Sequence, residues 1–477
     1  MPDRYDRHDR HDDVDAWLNE RIEPLSPPPG TFDLIKRRAR RRKFRRLAIT
    51  ASSAAVIVAA AVTVPQVVNL PILHENPTAG PAARAGQSTS ATPSTQTTGA
   101  SSITASSAQR VPNPARVPPN FQPTSVTFVS TRTGWVIGQA GSPGHCATRY
   151  CTSMARTTDA GRTWTGVPAP LAGQPDGATG VGQVRFLNLT DGWAFGPGLF
   201  VTHNGGQTWT PVNTGGLRVT SLETVGQRVY AVWASCTGTG SAYASNCSTF
   251  TLYTASASGG AWTPVGATTT GVPYGQSGQA PSLTLTSSRG YLLTASGTLE
   301  AGPVDGSAAW QQSGSLPAAC HTGGTGGTGT GGTGTGGQPN RALLGAVNAS
   351  DLILSCLIPG GQGTDAEQKL VYSSSDGGGS WTRTGTAPAP GTATSLAASP
   401  AASVMLATDQ GIELLPAGAS AWRAATLTGA APAGGFGYVG MTTGEQGIAL
   451  PADPSAGTVW FTFDGGLTWT PSAVASS

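Results

Sequence analysis

Cysteine is the residue type whose number and spacing in this 477-residue chain define a chemistry most directly. Six cysteines are present, none of them in a Cys-x-x-Cys pair, and only His145 and His321 lie beside them as further metal ligands. This spacing disfavours a zinc site and favours disulfides, so we predict neither a metal nor a cofactor. Six cysteines allow fifteen connectivities, and their positions favour the pairs Cys146–Cys151, Cys236–Cys247 and Cys320–Cys356.

Motifs of the common catalytic classes are missing from the sequence. The chain has no G-x-S-x-G nucleophile elbow, no H-E-x-x-H motif and no P-loop. The Gly-Thr tract at 322–337 is not followed by the lysine and helix that a phosphate-binding loop requires. His145, Arg149 and Tyr150 cluster near the first cysteine pair, where an exposed polar loop is the simpler interpretation and a ligand site the alternative.

The elements that must position these residues are indicated by a tryptophan repeat. Seven tryptophans recur every 41 to 53 residues, with one gap of 71, at Trp164, Trp209, Trp262, Trp310, Trp381, Trp422 and Trp469. A fixed period of about 40–50 residues is the size of a propeller blade. Charged residues make up only 11% of the chain, and Gly, Ser and Thr are abundant, as expected for many short strands and tight turns.

Four of these tryptophans end the same eight-residue motif. It reads TTDAGRTW at 157–164, THNGGQTW at 202–209, SSDGGGSW at 374–381 and TFDGGLTW at 462–469. Asp or Asn followed by Gly favours a hairpin turn, because Gly adopts positive φ without steric cost. The carboxylate can accept hydrogen bonds from the amides of its own turn. The tryptophan then places a large apolar ring between neighbouring sheets.

These motifs resemble the Asp-box of the bacterial neuraminidase (BNR) repeat, S/T-x-D-x-G-x-T-W. That repeat occurs in sialidases, in sortilin-type receptors and in photosystem-assembly propellers. The resemblance implies an all-β propeller in which the motif is a structural turn. The residues that carry this structural role are Asp159, Trp164, Asn204, Trp209, Asp376, Trp381, Asp464 and Trp469.

The resemblance also raises sialidase chemistry, which requires an arginine triad, a Tyr–Glu nucleophile pair and an acid/base Asp. Arg116-Val117-Pro118 only partly matches the phrase around the first arginine, and no Asp lies between Asp33 and Asp159. A Tyr230–Glu223 pair has no motif to support it. Because fold does not imply function, we predict no enzyme activity and no catalytic residues.

The strand patterns predict seven blades of four antiparallel strands within residues 121–477, with six or eight blades as the alternatives if the weak middle repeats are assigned differently. Their expected ranges are 121–168, 180–213, 218–266, 281–314, 341–386, 393–424 and 434–472. In such blades the turns after strands 1 and 3 share one face of the disc, and the other connections share the opposite face. Every cysteine and every long insertion falls on that opposite face.

Loops displayed on a rigid scaffold often carry function. We therefore predict that the face opposite the Asp-box turns binds the ligand or partner. The candidate binding residues on this face are His145, Arg149, Tyr150, Tyr243, Asn246 and His321.

The N-terminal region predicts a membrane anchor. Nine of the eleven residues at 36–46 are Lys or Arg, and the eighteen residues Leu47–Val64 carry no charge. Eighteen helical residues span about 27 Å, close to the hydrocarbon thickness of a bilayer. The basic flank places residues 1–46 in the cytoplasm, so it is interpreted as an orientation signal and not as a nucleic-acid site. We predict an uncleaved anchor at 47–73, bacterial in style, with a cleaved signal peptide as the alternative.

Residues 74–120 are rich in Ser, Thr and Pro, which predicts a flexible stalk that leads to the propeller at 121–477. Beyond Arg46 the chain has 15 basic and 16 acidic residues, so no global field would attract a highly charged ligand. We predict a single-pass plasma-membrane protein with an extracellular propeller that acts as an interaction scaffold, assembly factor or surface sensor. The alternative is a carbohydrate-binding or glycoside-hydrolysing surface protein.

Overall fold

A computed structural model describes residues 116–142, 145–146, 152–172, 180–237, 247–266, 269–270, 280–294, 296–320, 340–360, 367–387 and 391–475. The predicted cytoplasmic segment 1–46, the anchor 47–73 and most of the stalk 74–120 lie outside these residues. In the described part of the chain, no helix has the length and apolarity needed to cross a bilayer.

The described residues form seven consecutive antiparallel sheets, which confirms the predicted seven-bladed all-β propeller. Blade 1 contains β1 (Gln122–Phe128), β2 (Gly134–Gln139), a small hairpin of β3 (Gly141–Ser142) and β4 (His145–Cys146), then β5 (Thr152–Thr157) and β6 (Thr165–Val167). Blade 2 contains β7 (Gln183–Phe186), β8 (Gly192–Phe195), β9 (Leu199–Thr202) and β10 (Thr210–Pro211). Blade 3 contains β11 (Arg218–Val225), β12 (Arg228–Cys236), β13 (Cys247–Ser256), β14 (Thr263–Pro264) and β15 (Thr269–Thr270), which also pairs with β13.

The remaining blades repeat this order. Blade 4 contains β16 (Ser282–Leu285), β17 (Arg289–Leu293), β18 (Leu299–Pro303) and β19 (Gln311–Gln312), followed by a 3-10 helix (Ala318–Cys320). Blade 5 contains β20 (Arg341–Ala346), β21 (Leu352–Ile358), β22 (Gln368–Ser374) and β23 (Thr382–Thr386). Blade 6 contains β24 (Ala393–Ala398), β25 (Val404–Thr408), β26 (Gly411–Leu415) and β27 (Arg423–Ala424).

Blade 7 has a fifth strand that the sequence did not predict. It contains β29 (Phe436–Met441), β30 (Gly447–Pro451), a 3-10 helix (Pro454–Ala456), β31 (Thr458–Thr462) and β32 (Thr468–Ala473). On its outer edge β28 (Thr426–Leu427), from the connection between blades 6 and 7, pairs in parallel with β32. This pairing covers the start of an edge strand that would otherwise be open.

The core lies between the blades, because both faces of an inner strand are buried. In β2, Trp135 and Ile137 pack toward blade 2 and Val136 packs toward blade 7, and all three are fully buried. Successive side chains of a strand point to opposite faces, so one apolar run serves two interfaces. The outer fourth strands of blades 2, 3, 4 and 6 are two residues long and exposed.

The ring closes by packing of blade 7 against blade 1, without exchange of a strand between them. Val126 and Trp164 of blade 1 share a buried cluster with Leu450 and Phe461 of blade 7. The Gln446 side-chain amide donates to the carbonyl of Thr131 across this junction at 2.9 Å. Val117, at the end of the predicted stalk, is also buried in this cluster, so the folded domain includes this residue.

The four repeated motifs form one kind of turn, between strands 3 and 4 of blades 1, 2, 5 and 7. In blade 1, the Gly161 amide donates to the Thr157 hydroxyl at 2.9 Å, and the Thr163 amide donates to the Asp159 carboxylate at 2.9 Å. The same two bonds recur in the other three copies. The turn is therefore closed by its own side chains, as its sequence predicts.

In three of the four copies, the glycine at the fifth position of the motif is required by its neighbour as well as by its backbone. Gly161, Gly378 and Gly466 all have positive φ, between 82° and 96°. A Cβ at these positions would lie 2.3 Å from Phe461, 2.5 Å from Leu299 and 2.8 Å from Met405, respectively. Each of these neighbours belongs to the preceding blade. The turn can therefore approach that blade closely only with glycine at this position.

The Asp376 carboxyl of the blade 5 turn has a lowered pKa. Hydrogen bonds from Ser380 and Ser374 hold its pKa at about 2, below the ordinary value of 3.8. A carboxyl whose pKa is lower in the folded than in the unfolded state stabilises the protein at pH values above the unfolded-state pKa. This stabilisation is lost as the pH falls toward the folded-state pKa. We expect Asp376→Asn to weaken the fall of the thermal midpoint between about pH 4 and about pH 2.

Thermal unfolding followed by circular dichroism at stepped pH measures this effect. Ser375→Ala, at the exposed and uncharged neighbouring position, is the matched control and should keep the pH dependence of the natural protein. An identical pH dependence in Asp376→Asn and the natural protein would show that this turn contributes nothing to acid sensitivity.

Candidate functional site

The two faces of the disc differ in how their connections are held. One face, here called the turn face, carries the turns after strands 1 and 3 of each blade. In blades 1, 2, 5 and 7, a backbone amide of the turn after strand 3 donates to a backbone carbonyl of the turn after strand 1 at 2.9 Å. The donors are Ala160, Gly205, Gly377 and Gly465. The other, the loop face, carries the connections after strand 2 and those between blades. The turns on one face are therefore bonded to one another, and the connections next to the two disulfides lie on the other face.

Most of the sequence-predicted binding residues lie outside the described residues. These are Arg149, Tyr150, Tyr243, Asn246 and His321. The backbone of His145 lies in β4, on the connection after strand 2 of blade 1. The grouping of these residues into one binding site stays a prediction.

Two of the three predicted disulfides are present. Cys236 bonds to Cys247 at the loop-face ends of strands 2 and 3 of blade 3, where their Cα atoms are 3.9 Å apart. Cys320, in the 3-10 helix after blade 4, bonds to Cys356 in β21 with a Cα separation of 4.8 Å. The backbone of Cys146 lies in β4, whereas Cys151 lies outside the described residues, so the third pair stays a prediction.

The disulfides hold the bases of two long connections. Cys320 and Cys356 are fully buried. The side chain of Asn340, which follows the Gly-Thr tract, donates to the Ala319 carbonyl at 3.1 Å. Both ends of the connection between blades 4 and 5 are therefore attached to the same point of the scaffold.

A polar network joins blades 5 and 6 near the loop face. Arg341 forms an ion pair with Glu367 at 3.0 Å and also donates to the Ala393 carbonyl at 3.1 Å. Lys369 is buried beneath it and interacts electrostatically with Glu367 and Glu413. Burial lowers the pKa of the Lys369 ammonium and raises that of the Glu413 carboxyl, and their mutual attraction opposes both shifts. This network is structural, because it links two adjacent blades.

A central channel is the site that the sequence analysis missed. It is a cavity of about 460 Å³ where the first strands of blades 2 to 7 face one another. Its wall includes apolar side chains and hydroxyl groups, among them Leu283, Leu343, Leu396, Ser221, Thr224, Ser282 and Thr284. A volume of this size lies within the range of about 300–1,000 Å³ typical of small-molecule sites.

Three titratable side chains line this channel. Arg185 of β7 forms an ion pair with Glu223 of β11 at 2.8 Å, and Tyr438 of β29 contributes to the same cavity. Burial alone would lower the pKa of the Arg185 guanidinium, but the Glu223 carboxylate outweighs this effect and the pKa is raised. Burial raises the pKa of the Tyr438 hydroxyl, the Glu223 charge adds to the rise, and the Arg185 charge opposes it.

One sequence signal could have identified the channel. First strands of the blades consist mainly of apolar and hydroxyl residues, yet Arg185 and Glu223 stand inside two of them. Glu223 pairs with Arg185, whereas Tyr230 packs against Trp310 with ring centroids 5.4 Å apart. Glu223 and Tyr230 are opposite each other in the β11–β12 ladder, but the Glu223 carboxylate forms its ion pair with Arg185. Among the described residues, no group of three or more His, Cys, Asp and Glu side chains could hold a metal ion.

Comparisons with known proteins identify the fold alone. No protein-family model and no curated protein matches the chain. Among solved structures, YCF48 bound to a D1 peptide is 14% identical, with 75% of this chain and 85% of that chain covered and a TM-score of 0.35. An ancestral GH74 enzyme is 12% identical and has a TM-score of 0.50, with 75% of this chain but only 47% of that enzyme covered. An ulvan lyase of family PL25 is 11% identical and has a TM-score of 0.37, with 62% of this chain and 79% of the lyase covered.

These neighbours include a protein bound to a peptide as well as an enzyme of family GH74 and a polysaccharide lyase. A β-propeller hosts both kinds of function, so the shared fold does not decide between them.

Proposed function

We propose that this protein is a binding propeller of the BNR type, a bacterial interaction scaffold, assembly factor or surface sensor that contacts its partner through the loop face. The observation that carries this proposal is the asymmetry of the disc. The turn face is closed by repeated short hydrogen bonds, whereas the loop face has long connections whose bases are held by disulfides. A rigid base with variable loops is the usual arrangement of a recognition surface.

The composition of the channel supports binding over glycoside hydrolysis. That reaction commonly uses two carboxyl groups on either side of the scissile bond. Among the described residues that line the channel, Glu223 is the only carboxylate, and it is engaged by Arg185. A single ion-paired carboxylate is suited to recognition.

Residues 1–73 extend the proposal to the location of the protein. The basic run at 36–46 and the uncharged stretch after it support a single-pass plasma-membrane protein with a cytoplasmic N-terminus. Residues 74–120 then act as the stalk of an extracellular propeller. Disulfides agree with such an oxidising compartment.

Photo-cross-linking from matched positions on the two faces tests the proposal. Leu171, on the connection between blades 1 and 2, is 66% exposed on the loop face, and Leu189 is 54% exposed on the turn face. We expect p-benzoylphenylalanine at 171 to cross-link a partner in living cells, and the same probe at 189 to cross-link none. Immunoblotting for the tagged full-length chain detects the product.

A second pair of positions serves as the control. Ala318 is exposed in the 3-10 helix on the loop face, and Ser375 is exposed on the turn face. The probe at 318 should yield the same partner as the probe at 171. Cross-linking of that partner from 189 and 375, but not from 171 and 318, would assign recognition to the turn face.

A further inference from the structure

The central channel brings together three polar groups whose hydrogen-bonding capacity is only partly used. The Arg185 Nε atom donates to Glu223 Oε1 at 2.8 Å. Within the part of the chain that the structure describes, Arg185 Nη2, Glu223 Oε2 and the Tyr438 hydroxyl have no hydrogen-bond partner. A ligand in the channel would therefore meet a donor, an acceptor and a group that can be either.

Arg185 is held in place by groups that a ligand need not displace. Its Nη1 atom donates to the Val184 carbonyl at 2.9 Å and to the Ser125 hydroxyl of blade 1 at 3.3 Å. The guanidinium is also anchored by Glu223 of blade 3. Three adjacent blades thus fix the orientation of the Arg185 guanidinium, which lowers the loss of side-chain conformational entropy on binding.

Tyr438 approaches the same cavity from blade 7. Its hydroxyl is close enough to Arg185 and Glu223 for each to influence its pKa, and burial raises that pKa from the ordinary value of 10.0. The hydroxyl is consequently protonated at neutral pH and can donate as well as accept. A Cβ on Gly440 would contact this hydroxyl, so the glycine leaves room for the ring.

The paired charges of the channel favour a neutral ligand. Arg185 and Glu223 cancel each other, so an anion would meet the carboxylate and a cation would meet the guanidinium. The remaining wall contains leucines as well as the hydroxyl groups of Ser221, Ser282 and Thr284. Apolar patches combined with hydrogen-bonding groups match the apolar faces and the hydroxyl rim of a sugar ring.

We propose that the central channel is a binding site for a neutral saccharide unit, with adjacent hydroxyl groups accepting from Arg185 and donating to Glu223 while Tyr438 contacts a third. This site is separate from the loop-face partner surface. A glycan end and a free mono- or disaccharide share the chemistry that the channel recognises. A single carboxamide group is also neutral and could bond to Arg185 and Glu223, but it would leave most of the cavity unfilled.

Saturation-transfer difference NMR on the full-length chain tests the inference. The chain is kept in a zwitterionic detergent that carries no sugar of its own. The probes are glucose, galactose, N-acetylglucosamine and their disaccharides, with glucuronic acid and glucosamine as charged competitors. A glycan array on the same preparation distinguishes a glycan end from a free sugar. We expect at least one neutral probe to bind, and the two charged sugars to bind at least about tenfold more weakly, because charged partners left imperfectly paired are costly.

Two variants distinguish a loss of binding at the channel from a loss of folding. Glu223→Gln should weaken binding about tenfold or more through loss of a charge-assisted bond, and Tyr438→Phe should weaken it about two- to tenfold. Tyr253→Phe removes a hydroxyl from a ring that packs on Trp233 away from the channel lining, and should bind as the natural protein does. Thermal midpoints of all variants show whether they are folded.

The inference is overturned if no neutral sugar binds the folded natural protein, if the charged sugars bind as well as the neutral ones, or if Tyr438→Phe and Tyr253→Phe bind equally. Loop-face cross-linking from position 171 should be unchanged in Tyr438→Phe. Failure of the channel site therefore leaves the proposed function standing, and failure of the cross-linking leaves the channel site standing.

Discussion

Trp469→Ala is expected to lower the free energy of unfolding by about 3–5 kcal/mol. Trp469 is fully buried, and its indole N–H donates to the Gly466 carbonyl of its own turn at 3.1 Å. The ring shares a cluster with Met405 and Leu414 of blade 6, so truncation opens a cavity between blades 6 and 7. Urea unfolding monitored by circular dichroism measures the loss.

Trp422→Ala is the matched comparison, because this tryptophan belongs to a degenerate copy of the repeat. Trp422 is only partly buried, at the edge of the cluster between blades 5 and 6. We expect a loss of about 1–2 kcal/mol, the range of an ordinary destabilising substitution. Equal losses in the two variants would contradict the assignment of the Trp469 ring as a buried contact between blades 6 and 7.

Removal of the disulfide at the base of the connection between blades 4 and 5 is the second large effect. Cys320 and Cys356 are separated by 36 residues, and in the chain-entropy model a closed loop of this length stabilises a fold by about 4 kcal/mol. Both cysteines are fully buried, so their side chains also contribute to packing. We expect the double variant Cys320→Ala/Cys356→Ala to lose about this amount in urea unfolding under non-reducing conditions.

The second disulfide provides the internal comparison. Cys236 and Cys247 are separated by 11 residues, for which the same model gives about 3 kcal/mol. Reductant should therefore destabilise the natural protein more than it destabilises the Cys320→Ala/Cys356→Ala variant. If reductant has the same effect on both proteins, the Cys320–Cys356 bond makes no contribution of its own.

The groups that hold the fold and the candidate recognition groups lie in different parts of this molecule. The turn tryptophans and the disulfides hold the blades and the bases of the loops, whereas the candidate recognition groups lie on the loop face and in the channel. Substitutions in the channel such as Tyr438→Phe should therefore change binding with little change in the thermal midpoint. This separation allows the two proposals to be tested on folded protein.

The sequence by itself determined the repeated architecture. An eight-residue motif contains its own turn, since the Thr157 hydroxyl donates to Asp159 and accepts from the Gly161 amide, and each blade is built from consecutive strands. Two cysteine pairs could likewise be predicted, because the partners are close in sequence and each pair flanks a long connection. These features depend on interactions within one blade or between successive blades. Such interactions join residues close in sequence, so a local sequence pattern predicts them.

Only the tertiary structure decided what the centre of the disc contains. Arg185, Glu223 and Tyr438 come from blades 2, 3 and 7, and no local pattern relates them until the ring closes. The parallel strand β28 and the close approach of Gly378 to Leu299 likewise depend on how neighbouring blades pack. A repeat specifies each blade, but a channel shared by several blades exists only after those blades have been brought around a common axis.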